Sequence, residues 1–457
     1  MDFSYEEYEA LKWKYPEAFK AYNTLDSVKL KEQEKVYEDN EGLKVGDVLS
    51  RLEARTTSRY FGKVDYAQRK AMDYAELVFP TYKFILPDAL IDDWLSTVDM
   101  HKKHPSRDHS LHQSLAAYII AKLLGFGNPA NSFDLGGGNK LLELCARQLY
   151  DTPEMEYLRA YVREIDSDFD NKRDKYDMAW AMDVVYEACV VSALFHDMGY
   201  PWQYVNKLCN SIDGASYKDV MTMMTDSAKA LSAIEKKLLA YPLYGYDKNA
   251  VSKPNEEQLK KATELMDLGL KHTHGTPGAL GFLSLNHKIR QFGKTDPFFE
   301  ASFRLVMDWA AVGIMMHDMP KVYWGEDSKT RIPEQPVLRL DFKKDPLSCL
   351  VSLADILEEF HRPSAQFKSN NKGKADEFVS VTYDFSCKGS RIEIEGDSLV
   401  ITYIYYDEAE RIKSKGRRED EVRDYLNPQN GYLNLSSWGV KDAKCETEVS
   451  VVKAVKG

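Results

Sequence analysis

The stretch "CVVSALFHDMGYPW" (189–202) sets His196 beside Asp197 at the end of an almost wholly apolar segment. Val190, Val191, Ala193, Leu194 and Phe195 leave almost no polar face, so it reads as a core helix, stopped by Gly199 and Pro201. A buried imidazole next to a carboxylate is costly unless the two are paired or bind a metal. "MDWAAVGIMMHDMP" (307–320) repeats the pattern and ends in His317 and Asp318. "DPLSCLVSLADILEEF" (345–360) sets Asp355 in a helix that is apolar on nearly every side. "RDHSLHQSLAAYIIAKLLG" (107–125) opens a helix with His109 and His112 one turn apart, and "HTHGTPGALGFL" (272–283) places His272 and His274 before a glycine turn.

Taken singly, a histidine closing an apolar helix is commonly a hydrogen-bonded core residue or a favourable charge at the dipole's negative end. The ordered series says more: His112, then His196-Asp197, His274, His317 and Asp355, all on helices or helix ends. Neutral imidazole nitrogens and carboxylate oxygens are the donors that borderline divalent ions take. His101, His104, His287 and His361 stand in polar or terminal contexts and read as surface residues.

The elements that must position these residues are helical. Residues 1–95 read as a polar, aromatic-rich helical extension. From 96 to 363 apolar helices alternate with polar loops, at roughly 109–125, 140–150, 178–197, 217–240, 256–271, 298–317 and 346–361. Almost nothing there alternates like a strand, so the expected fold is mainly α, an all-α bundle. "SAQFKSNNKGKADE" (364–377) reads as a flexible linker. Beyond it "FVSVTYDF", "SRIEIEG" and "SLVITYIYY" alternate, a charged helix follows at 407–426, and the chain returns to strand, so 378–457 reads as a small α+β module. "DLGGGNK" (134–140) lacks the spacing of a phosphate-binding loop and reads as a flexible loop.

Composition sets outer limits. The 457 residues are 44% hydrophobic and 29% charged, enough for a large core. A net charge of −11 argues against long nucleic acid as a partner and leaves room for a small nucleotide. The six scattered cysteines suit a reducing compartment. No signal peptide and no uninterrupted apolar run of spanning length is apparent, so the expected location is the cytoplasm, without a membrane partner. The helical surfaces would serve a homo-oligomer.

With these residues in place, the chain resembles the HD-domain superfamily of metal-dependent phosphohydrolases over about residues 105–360. The family is all-α and is marked by a distant His, a His-Asp doublet and a distant Asp. His112 matches the first, with His109 as its rival; His196-Asp197 match the doublet and Asp355 the last acid. Binuclear members add two histidines, here His274 and His317. The resemblance implies His112, His196 and Asp355 on one ion, His274 and His317 on the other, and Asp197 bridging. The ions would be Mn²⁺ or Fe²⁺, with Mg²⁺, Ni²⁺ or Co²⁺ as further options. The activity implied is hydrolysis of a nucleotide or another small phosphate ester or phosphodiester. His196 and Asp197 would stand at the reacting centre, and Arg107, His109, Lys207 and Lys321 would be candidates to hold substrate, as would Arg290. Asp108 and Asp318 would orient ligands.

Departures from the pattern keep alternatives open. Many members carry Gly-Lys after the doublet, where this chain has Gly199, Tyr200 and Pro201. His317-Asp318 could itself be the doublet of a mononuclear site, between His274 and Asp355. The superfamily also holds di-iron oxygenases with the same ligands. A non-catalytic nucleotide sensor is a third reading.

Overall fold

The computed structural model describes residues 1–12, 110–165, 169–200, 272–291, 297–319, 339–360, 363–368, 377–383 and 387–450, with positions 260, 266, 269 and 270. Among the described residues the chain is mainly helical, with nine helices and a small sheet. The helices are α1 (Tyr5–Lys12), α2 (Ser110–Leu123), α3 (Leu141–Tyr150), α4 (Pro153–Ile165), α5 (Phe169–Phe195), α6 (Gly275–Gln291), α7 (Pro297–Met316), α8 (Pro346–Leu357) and α9 (Glu408–Leu426). The helices expected at 217–240 and, almost wholly, 256–271 lie outside the described residues.

Helix α5 is the hub, packed against α2, α3 and α7, while α7 also meets α6 and α8. Its stretch Met178–Phe195 is long and apolar enough to cross a membrane by length and composition, yet 72% of it is buried within the protein. This departs from the sequence reading, which found no such run because Asp183 and Glu187 interrupt it. All twelve residues of α8 are buried. Its start is set by Asp345, whose side chain accepts from Ser348 N, and by Pro346 in the first turn.

Two helices escape the sequence reading. Helix α4 follows Thr152, whose hydroxyl accepts from Met155 N at 3.3 Å, as a capping residue does. Helix α6 hides behind Gly275, Pro277, Gly278 and Gly281, which look like a turn. Proline is tolerated in a first helical turn. Two of the glycines serve contact: a Cβ on Gly275 would stand 2.5 Å from Ile314 O, and one on Gly278 would stand 3.1 Å from Gly199 N.

The sheet runs β1 (Asp2–Ser4), β5 (Cys387–Glu395), β6 (Ser398–Tyr405), β8 (Asp442–Val449). Strands β5 and β6 pair antiparallel; β6 and β8 pair parallel, joined by α9 as a crossover. The start of the expected helical extension is therefore a strand of this sheet, followed by α1. Phe3 meets Tyr118 edge to face, and Glu7 accepts from Tyr118 Oη at 2.7 Å and pairs with Lys122, tying this segment to α2. The expected linker at 364–377 is in part a strand: β3 (Pro363–Lys368) occupies its first five residues and pairs antiparallel with β4 (Glu377–Tyr383), and 369–376 lie outside the described residues. Alternation in "SAQF" is too short to distinguish from loop by pattern alone.

The C-terminal unit is docked on the helices at several points. Strand β2 (Leu340–Asp341) pairs with β7 (Leu433–Asn434) just before α8. Tyr403 Oη donates to Ile356 O at 2.9 Å and Ser390 Oγ to Leu357 O at 2.8 Å. These bonds satisfy carbonyls that the last turn of α8 would leave open.

Candidate metal centre

Five helix ends converge. His112 lies in the first turn of α2; His196 and Asp197 follow α5; His274 immediately precedes α6; His317 and Asp318 follow α7; and Asp355 lies in the last turn of α8. Each is buried, His112 and His196 fully and Asp355 to within 9%. The apolar helices of the hub carry them inward, which is why short polar tails appear at the ends of core segments.

Asp197 divides its oxygens between two histidine pairs. Oδ1 lies 2.8 Å from His274 Nε2 and 3.6 Å from His317 Nε2, while Oδ2 lies 3.5 Å from His196 Nε2 and 3.9 Å from His112 Nε2. Asp355 Oδ1 stands 2.9 Å from His112 Nε2. Two groups of donors result, His112–His196–Asp197 and Asp197–His274–His317, each close enough to hold one ion. Ligands about 2.1 Å from an ion stand roughly 3.0–3.4 Å from one another, and the gaps here, from 2.8 to 3.9 Å, bracket that range.

The outer nitrogens fix the tautomers. His196 Nδ1 donates to Ala193 O at 2.7 Å and His317 Nδ1 to Ile314 O at 2.8 Å, both carbonyls one turn back in the same helix. A carbonyl only accepts, so both protons sit on Nδ1 and both Nε2 lone pairs face inward. His274 Nδ1 faces Asp318 Oδ2 at 2.8 Å, and His112 Nδ1 is in close contact with Glu358 Oε2. The inward Nε2 of His196 is buried, has no hydrogen-bond partner, and faces the Asp197 carboxylate. Two acceptors facing each other in a dry interior repel unless a cation lies between them. His274 Nε2 and His317 Nε2, 2.9 Å apart, are in the same position once each proton is on Nδ1. The residues therefore fit a divalent metal.

Electrostatics agree. Burial depresses His196 to about 3 in spite of Asp197, so its ring is neutral at physiological pH and its lone pair is available. Burial also works to lower His274, but Asp318 and Asp197 outweigh it and hold the ring at about 9. Without an ion, His274 keeps a second proton on Nε2, which a cation would replace. Burial would raise Asp318, but the imidazoles of His274 and His317 overcome that and hold it well below the usual carboxylate range.

All six residues expected as ligands come together. Asp318 stands behind His274, accepting its Nδ1–H and, at 3.0 Å, its backbone N–H. His272 is exposed. Arg107, Asp108, His109, Lys207 and Lys321 lie outside the described residues. In the 134–140 loop, Asp134 Oδ1 accepts from Gly136 N at 2.8 Å, and Asp134 pairs with Lys140 across the loop. Its own carboxylate thus takes the amide a phosphate would use. The sequence reading missed Glu358 and Tyr200. Glu358 left only a faint signal: it stands three residues after Asp355, but at the C-cap of α8 and within a Glu-Glu pair. Tyr200 stacks on His274 with ring centres 3.9 Å apart, which no local pattern announces.

No protein-family model, curated protein or solved structure matches the chain significantly.

Proposed function

We propose that this protein is a metal-dependent phosphohydrolase of the HD type, acting on a nucleotide or another small phosphate ester or phosphodiester. The observation that carries the reading is the split of Asp197 between the two histidine pairs. His112, His196 and Asp355 would hold one cation, His274 and His317 the other, with Asp197 shared. Bound there, paired divalent cations supply Lewis acidity: they acidify water and neutralise phosphoryl oxygens.

The chain's own residues prepare the site. Ala193 O, Ile314 O, Asp318 and Glu358 aim four imidazoles inward. His274 and Asp355 are the least buried of the six, with side chains 9% and 12% exposed, so substrate would approach on their side. Neither a serine nor a cysteine nucleophile is required, and the cysteines of the helical core, Cys145, Cys189 and Cys349, are buried thiols that burial keeps protonated.

The test is metal analysis of protein purified without chelator, followed by nucleotides and phosphodiesters with Mn²⁺. Phosphate or phosphomonoester release should require a divalent ion, stop with chelator and return with Mn²⁺. Fully metallated protein that releases nothing, while its reduced iron form consumes oxygen with a small alcohol or phosphonate, would establish the oxygenase alternative instead.

A further inference from the structure

The four imidazoles of the centre are not held in the same way. His196 and His317 lean on carbonyls of their own helices, and His274 leans on Asp318, which adjoins His317. Those three supports are built into the helical core. His112 is different, because Glu358 lies at the C-cap of α8, at φ −86 and ψ 97, where helical geometry has ended.

What fixes Glu358 is the C-terminal unit on either side of it. Before it, Ile356 O and Leu357 O accept from Tyr403 Oη and Ser390 Oγ. After it, Glu359 pairs with Arg418 of α9 at 2.7 Å, with the two side chains 8% and 3% exposed. Arg418 also binds Glu421 at 2.6 Å and lies over the ring of Tyr403, 5.1 Å from its centre. One short segment, 355–359, thus carries a metal-facing carboxylate, the partner of a metal-facing imidazole and the anchor of a second structural unit.

We propose that Glu358 is the positioning residue for the cation faced by His112, His196 and Asp355, and that the C-terminal unit sets Glu358 in place through Arg418 and Glu359. This rests on the binuclear reading above. Glu358 accepts the Nδ1 proton of His112 and so commits Nε2 to the ion. Among the described residues, His274 and His317 have no such connection to the C-terminal unit. Disturbing the 355–359 anchor should weaken one ion and spare the other.

The experiment titrates the chelator-stripped full chain with Mn²⁺ and follows free Mn²⁺ by electron paramagnetic resonance. Wild type should bind two ions. Glu358→Ala should keep one at wild-type affinity and weaken the second by about tenfold or more. Glu358→Gln, which still offers an acceptor to Nδ1–H, should recover part of that loss. Arg418→Lys keeps the charge but loses the planar fork, and should weaken the same ion. In a His317→Ala background, which removes a ligand of the other ion, Glu358→Ala should leave no tight ion. Thermal melts by circular dichroism identify any variant that fails to fold, and Glu358→Gln, nearly isosteric, then carries the test. Two ions at wild-type affinity in a folded Glu358→Ala or Glu358→Gln chain, or equal weakening of both ions, would overturn the proposal alone. Fewer than two ions in wild type would overturn the binuclear reading and the proposal with it.

Discussion

Tyr200 lies flat against His274, with ring centres 3.9 Å apart and planes within 12°. With Asp318 on Nδ1, this leaves the imidazole one orientation, Nε2 inward. Under the HD-type function proposed above, Tyr200 would take the place of a phosphate-binding lysine, with a ring-positioning group in its stead. Tyr200→Phe should retain the stack and keep full metal content. Tyr200→Ala should lose the stack, worth about 0.5–1.5 kcal/mol, and weaken the His274–His317 ion. Metal titration and thermal melts of both variants check this. Equal metal affinity in the Ala and Phe variants would remove Tyr200 from the centre.

The Asp197 carboxylate lies within 3.9 Å of all four imidazoles. Asp197→Ala should therefore yield protein without either ion and without phosphate release. His272→Ala, whose side chain is exposed two residues from His274, should match wild type in both. Elemental analysis of the two variants, purified side by side without chelator, decides the point. Retained metal in Asp197→Ala would contradict a shared ligand.

The candidate ligands were legible because burial makes polar residues conspicuous. His196, Asp197, His317 and Asp355 interrupt apolar runs, and an uncompensated polar group there is too costly to be incidental. The groups behind the ligands were less legible. Ala193 O and Ile314 O are backbone atoms with no sequence signature, and Glu358 looks like half of an ordinary Glu-Glu surface pair in "LEEF". The mainly helical character and the C-terminal α+β pattern were readable from period, since α9, β5 and β6 each follow their own repeat. The pairing of Asp2–Ser4 with β5 was not, because a three-residue strand has no period to detect and its partner lies nearly four hundred residues away. Helix α6 was obscured for the opposite reason: its glycines serve close packing rather than a turn.

That packing has a sharp consequence at Gly199. A Cβ there would stand 1.8 Å from His274 O and 2.7 Å from Gly278 N, both backbone atoms that cannot swing aside. Gly199→Ala should force the turn after Asp197 away from the start of α6. The expected cost is about 3 kcal/mol or more, at the upper end for overpacking. It should also displace His274 and so lower metal content in the fraction that folds. Urea denaturation of the stripped protein, with metal analysis of the folded fraction, tests both effects. A Gly199→Ala chain as stable as wild type would show that the two segments do not approach so closely.

Asp345 offers a pH test away from the ligands. It caps α8, accepting from Ser348 N at 3.0 Å through Oδ1, while Oδ2 is buried with no hydrogen-bond partner. Burial raises its carboxyl to about 6, against the partial relief of the Ser348 hydrogen bonds. The unfolded chain releases this proton near the ordinary value of about 3.9. Between roughly pH 4 and 6 the folded state therefore binds more protons than the unfolded state, and stability falls as pH rises through that window. Above it the cost of the buried charge remains. The thiols of Cys189 and Cys349, which feel this charge, are pushed well up by burial and stay neutral throughout. Asp345→Asn keeps the cap and removes the charge. It should be more stable than wild type by on the order of 2 kcal/mol at pH 7.5 and nearly equal to it at pH 4. The comparison is the difference between the two metal-free proteins in urea at each pH, which cancels every other titrating group. A difference that does not change with pH would mean that Asp345 is not ionised in the folded protein at neutral pH, or is ionised without cost.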